Sequence, residues 1–250
     1  MYRRLIPEKI IETLERLQVR IDERFPGSGL SQVGAELTAI ARVSHARTER
    51  LARPNWGLRT LSVLVVAAGI GVAFYLTRLV RELPANLEIF GLMQGVDAAV
   101  HLAIVIGAGV LFLTTLEGRL KRRAALAHLH ELRAIVHVID MHQLTKDPSA
   151  LVTIGTSTPA SPKRILRSYE LTRYLDYCSE LLSLTAKVAA LYAQASSDTQ
   201  VIETVNDLER LIANLSQKVW QKIAILDRRS TAAEQGQEAG AQSLSPAAGR

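Results

Sequence analysis

Two uninterrupted apolar blocks, residues 60–77 and 98–116, decide what this chain can fold into. The first reads TLSVLVVAAGIGVAFYLT and carries no charge between Arg59 and Arg78. The second reads AAVHLAIVIGAGVLFLTTL, with Asp97 before it and Glu117, Arg119, Lys121, Arg122 and Arg123 after it. Leu, Ile, Val and Phe supply nine residues of the first block and ten of the second. At about −0.3 to −0.6 kcal/mol each, they favour insertion into lipid. At ~1.5 Å per residue, either block is long enough to cross a ~30 Å hydrocarbon core. A core helix of a soluble protein seldom runs so far without a polar face. Two membrane spans are therefore expected. The first begins after a long polar stretch with no short basic leader, so it is expected to persist in the mature protein.

Orientation follows from Lys and Arg beside the spans. Arg42, Arg47, Arg50, Arg53 and Arg59 precede the first, and Arg119, Lys121, Arg122 and Arg123 follow the second. The connection between them holds Arg78 and Arg81 against Glu82, Glu88 and Asp97. Both termini are expected in the cytoplasm of a bacterial cell, with a multi-pass location in the inner membrane. The formal charge of +6 raises nucleic acid as a partner. Its basic residues instead cluster at the span ends, where anionic lipid headgroups attract each by about 1 kcal/mol. Aromatic residues are too scattered for a base-stacking platform. The expected partner is a lipid bilayer with anionic headgroups, and nucleic acid is not expected.

Outside the spans, the apolar spacing is helical. Ile10, Leu14, Leu17 and Ile21 form one stripe of a helix from Pro7 to about Phe25, and PGSG at 26–29 breaks it. A second helix, about 31–52, places Val33, Leu37 and Ile40 on its apolar side and ends at Arg53-Pro54. Trp56 fits an interfacial anchor. Beyond the second span, Leu129, Leu132, Val136 and Ile139 repeat at coiled-coil-like spacing up to Asp147-Pro148. A helix over 165–194 carries two neighbouring stripes, one from Leu171 to Tyr192 and one from Tyr174 to Leu191. Such a wide apolar face needs more than one partner helix. Cys178, the single cysteine, lies in the first stripe and excludes an internal disulfide. A last helix, about 199–227, holds a near-heptad seam from Val201 to Leu226, and the short connection makes it antiparallel to its predecessor.

The expected fold is all-α: a two-helix transmembrane hairpin with cytoplasmic helical hairpins in a coiled-coil-like bundle. Its divisions are an N-terminal amphipathic hairpin (1–56), the transmembrane hairpin (57–118) and a cytoplasmic extension of the second span (119–147). A Ser/Thr/Pro linker (148–164), a C-terminal hairpin (165–228) and a disordered Ala/Gly/Gln/Ser tail (229–250) follow.

Chemistry-bearing motifs are absent from the pattern. His128, His130, His137 and His142 share one helical stretch, but no two stand at the i,i+3 or i,i+4 spacing a metal needs. No metal, cofactor or catalytic residue is expected, and no enzymatic activity. Small residues recur every four positions, as Ala67 and Gly71 in the first span and Ala99, Ala103 and Gly107 in the second. Such stripes let helices approach closely, either between the two spans or between copies in a homo-oligomer. Asp97 and His101, an i,i+4 pair at the outer end of the second span, are candidates for a pore mouth.

The segments PEKIIETLERLQVRIDERFPGSGLS and ELRAIVHVIDMHQLTKDP resemble stretches of uncharacterised bacterial two-span inner-membrane proteins. In outline, the chain is also similar to the two-span effector proteins of bacterial conflict systems, which join short membrane hairpins to cytoplasmic helices. Neither resemblance implies a residue role. The functional expectation is a non-enzymatic oligomeric scaffold or signal-coupling protein, with a cytoplasmic protein partner. The alternative is an oligomeric pore, channel or membrane effector.

Overall fold

Six α-helices make up the computed structural model, which describes residues 4–81, 89–146 and 166–243. They are α1 (Pro7–Arg24), α2 (Gly29–Ala52), α3 (Trp56–Arg81), α4 (Ile89–Leu144), α5 (Ser168–Ala195) and α6 (Thr199–Ser243). No strand occurs among the described residues, so the all-α class holds. The chain forms two compact units: Leu51–Ala125, and Met1–Arg50 together with Leu126–Arg250.

Helix ends follow local chemistry. Pro7 opens α1, where its missing N–H costs nothing, and Glu8 meets the positive helix end. Gly27 turns the chain at φ +67°, a left-handed conformation that favours glycine. Ser28 Oγ then accepts the Ser31 N–H at 3.2 Å near the start of α2. Asp198 Oδ1 accepts the N–H groups of Gln200 at 3.0 Å and Val201 at 3.3 Å, which caps α6.

The larger unit has a continuous core. Ile10, Leu14, Leu17 and Ile21 of α1 are buried, as are Leu129, Leu132, Val136 and Ile139 of α4. Helix α5 buries both of its stripes and packs against α6 on one side and α1 on the other. From α6, Val201, Val205, Leu208, Ile212, Leu215, Val219 and Leu226 complete the core. Cys178 is fully enclosed, and loss of solvation pushes its thiol up to about 12. On α2 the buried stripe is Leu30, Val33, Leu37 and Ala41, ending in Ser44 and Thr48. Ile40, expected on that stripe, is only partly covered, because helical rotation carries the inner face through Leu37 and Ala41 instead.

Three boundaries differ from the sequence expectation. Helix α6 continues to Ser243, so residues 230–243 are helical and not a disordered tail. Ala, Glu and Gln are good helix formers, and extending a helix is far easier than nucleating one. Helix α3 reaches Arg81 and α4 starts at Ile89, so residues 78–81 and 89–97, in the connection between the two apolar blocks, are helical. Residues 82–88 of the connection, the whole 148–164 linker and residues 244–250 of the expected tail lie outside the described residues.

Candidate functional site

The unit Leu51–Ala125 inverts the usual pattern of burial. Gly69 is the only buried residue between 56 and 75, and no residue of the apolar stretch 98–116 of α4 is buried. Val63, Leu64, Ile70, Phe74 and Tyr75 of α3 stand largely exposed, as do Ile104, Val105, Leu111 and Phe112 of α4. Two helices in this chain are thus long and apolar enough to cross a membrane. A contiguous apolar surface of this extent marks an interaction face.

Within the unit the helices meet along a specific seam. Leu58, Ser62, Val65 and Gly69 on α3 are less exposed than their neighbours, as are Leu102, Ile106, Val110 and Leu113 on α4. Their spacing of three and four is that of a helix-pair seam. At its centre Ile106 occupies the space that a side chain on Gly69 would fill. The small residues singled out from the sequence lie elsewhere. Ala67, Gly71, Ala99, Ala103 and Gly107 are exposed, and a Cβ on Gly71 or Gly107 would meet nothing within 4 Å. They are not brought together within the chain. Gly69 was visible in the sequence as another small residue; only the geometry separates its role from theirs.

A polar clasp closes one end of this pair. Glu117 accepts the Asn55 backbone N–H at 2.9 Å and pairs with Lys121 at 2.9 Å, with Arg59 at 3.9 Å. Lys121 also donates to the Arg53 carbonyl at 2.6 Å. The Asn55 N–H and the Lys121 ammonium hold the Glu117 carboxyl below its ordinary range. Contiguity alone could not show this clasp, because its partners are some sixty residues apart along the chain.

At ~100° per residue, Lys121 and Glu117 share the α4 face toward α3. Arg119, Arg122 and Arg123 fall together on an arc of roughly 100° on the other side, and all three are exposed. Asp97 and His101 approach to 3.4 Å at the opposite end of the α4 apolar stretch, each 73 % exposed.

In the larger unit, a shallow groove of about 490 Å³ runs between α2 and α4, floored by Ala39, Ile40, Val43, Ala134 and Ile135. Arg47 and Glu131 close one end, paired at 2.8 Å. Below them lies a polar layer in which the Tyr192 hydroxyl donates to Ser44 Oγ at 3.0 Å. Burial pulls the Glu131 carboxyl up, but the Arg47 hydrogen bond and charge outweigh it, leaving the group below its ordinary value of 4.5. His142 is also lowered, by burial and then by Lys146. No group of three or more His, Cys, Asp or Glu side chains able to hold a metal occurs among the described residues.

These shifts fix how stability responds to acid. A folded-state pKa below the unfolded one adds stability above the unfolded value, which is lost as pH falls. For His142 the loss starts near its ordinary value of 6.5. For Glu131 it starts near 4.5. Denaturant titration at pH 7.5, 5.5 and 4 is expected to show the midpoint falling in two stages. His142→Gln should remove the first stage and Glu131→Gln should shrink the second, to which the lowered Glu12 also contributes and which the raised Asp176 opposes. The Glu131 stage should be small, about 0.5 kcal/mol, because the ion pair is half exposed. A midpoint that rises on acidification would contradict the assignment.

No protein-family model, curated protein or solved structure matches this chain.

Proposed function

We propose that the chain is an integral membrane protein of two spans, α3 and the first half of α4, in the bacterial inner membrane with both termini cytoplasmic. It acts without catalysis, as an oligomeric scaffold or signal-coupling component whose cytoplasmic helices engage a protein partner. The observation that supports this is the opposite burial of the two units. The larger unit encloses its apolar seams, whereas α3 and α4 leave theirs open. Each large aliphatic or aromatic side chain left in water forgoes about 1.5–3 kcal/mol relative to burial. Summed over the exposed residues of both helices, water is a poor surrounding and hydrocarbon a good one. The open Gly71 and Gly107 faces support homo-oligomerisation, since no described residue stands within 4 Å of a Cβ on either.

The arginines at the clasp end support cytoplasmic termini. A second reading is an oligomeric pore, which the outward Asp97–His101 pair favours. Neither span carries a polar face along its length, which a wet pore normally needs.

The deciding measurement is the subunit number of the chain in lipid nanodiscs, by native mass spectrometry. A dimer supports the scaffold reading and excludes a pore, because four spans cannot surround one. A closed ring of four or more, with ion flux reduced by Asp97→Asn, would replace the scaffold reading by the pore. Quantitative release from membranes by alkaline carbonate would overturn both.

A further inference from the structure

We propose that α4 carries a binding stripe for one anionic phospholipid, its phosphate held by Arg119, Arg122 and Arg123 and its acyl chains lying along Phe112, Val105 and Ile104. This rests on the membrane reading above and names the lipid class that reading leaves open.

The stripe follows from helical rotation. Counting ~100° per residue from Arg119, Arg123 and Arg122 lie within about 60° on either side. One to two turns toward the helix start, Thr115 and Phe112 fall on the same line, and Ala108, Val105 and Ile104 continue it. Phe112, Val105 and Ile104 are 60 %, 68 % and 62 % exposed, so this face is uncovered along its length. Phe112 to Arg119 is seven residues, or ~10 Å of helix, comparable with the depth from headgroup to mid-chain in one leaflet. A single α4 face therefore presents a cationic end directly continuous with an apolar track, the same division a phospholipid has.

The clasp keeps the Glu117 carboxylate on the α3 side, away from the arginine arc. Glu117 is the only acidic residue in 51–60 and 116–125, among six basic ones: Arg53, Arg59, Arg119, Lys121, Arg122 and Arg123. It faces α3, where the Asn55 N–H and Lys121 occupy it. The carboxylate that would repel a phosphate is turned away from the arginine arc and neutralised. Lys121 lies on the α3 side by helical rotation and is held there by the Arg53 carbonyl. Arginine suits the task because its planar fork donates two hydrogen bonds to adjacent phosphate oxygens.

The test uses the full-length chain, delipidated in detergent and resupplied with equal amounts of phosphatidylglycerol and phosphatidylcholine of identical acyl chains. Native mass spectrometry counts the lipids retained. The expected result is a several-fold excess of phosphatidylglycerol on the unsubstituted chain. The triple variant Arg119→Gln, Arg122→Gln, Arg123→Gln should lose that excess while still retaining phosphatidylcholine. A control with equal charge loss in the larger unit, Arg16→Gln, Arg173→Gln and Arg210→Gln, should keep it. Replacing the three arginines of the arc with lysine should keep a reduced preference, which separates lost charge from lost folding. Equal retention of the two lipids by the unsubstituted chain, or a preference that survives the glutamine triple, would overturn the proposal. Displacement of phosphatidylglycerol by millimolar inorganic phosphate would also overturn it, in favour of a plain phosphate site. Failure of the membrane reading is recognised separately, as a chain that retains neither lipid and needs no detergent to remain in solution.

Discussion

Leu182→Ala is expected to lower the stability of the larger unit by about 2–5 kcal/mol, among the largest effects of any single truncation in the chain. Leu182 has no exposed surface and sits on α5, the helix that packs against both α1 and α6. Its removal loses the transfer energy of its apolar atoms. It also leaves a cavity that α5 cannot close by moving toward one neighbour without leaving the other. A helix packed on one side relaxes more readily, which is why truncation of the partly covered Ile223 on α6 should cost much less. Cys178, one turn away and on the same stripe, provides the readout. Burial keeps its thiol unreactive, with its ionisation pushed up to about 12. Reaction with a thiol reagent at pH 8 therefore reports opening of the core. The Leu182→Ala chain should be labelled at a lower denaturant concentration than the unsubstituted chain by the amount its stability has fallen. Unchanged labelling midpoints would mean that α5 is not the central helix of this unit.

The sequence makes the helices of the larger unit legible because each buries one face, and a buried face imposes a 3.6-residue period on apolar residues. Every position of the two α5 stripes read in this way is buried. The same reasoning places Ile40 less well, since α2 ends its inner face in Ser44 and Thr48, hydroxyl-bearing residues that hydropathy alone assigns to the surface. Both donate or accept hydrogen bonds inside the bundle, Ser44 from Tyr192 and Thr48 to the Ser44 and His45 carbonyls. The tail shows a different failure. A segment without an apolar pattern reads as disordered, although it needs no packing to continue a helix already nucleated at Thr199. In α3 and the first half of α4, periodicity carries no signal at all. When every face is apolar, pattern cannot show which face meets the partner helix. The clasp between Asn55, Glu117, Lys121 and Arg53 is hidden for another reason: two of its four participating groups are backbone atoms, which the sequence does not vary.

That ambiguity within the apolar helices makes glycine substitutions the most discriminating experiment on the smaller unit. Gly69→Leu is expected to disrupt the contact of α3 with α4 in every copy of the chain, because the new side chain would overlap Ile106. Overpacking of this kind costs about 1–3 kcal/mol, and Ile106→Ala should restore the pairing by opening the same space. A Cβ on Gly107 meets nothing within 4 Å among the described residues, so Gly107→Leu should leave that pairing intact. Its effect is instead expected between copies, as a lower subunit number in nanodiscs, since a leucine prevents the close backbone approach that a small residue permits. A cysteine pair at Val65 and Val110, one turn from the Gly69–Ile106 contact on the two facing seams, measures the first effect by oxidative crosslinking, and native mass spectrometry measures the second. If Gly69→Leu leaves crosslinking unchanged, the seam centred on Ile106 is wrong. If Gly107→Leu weakens crosslinking as much as Gly69→Leu does, the small residues serve the pairing within one chain, and the oligomer loses its structural support. Only the combination of weakened crosslinking in the first variant and reduced assembly in the second is compatible with one glycine holding the hairpin of each copy and another joining the copies.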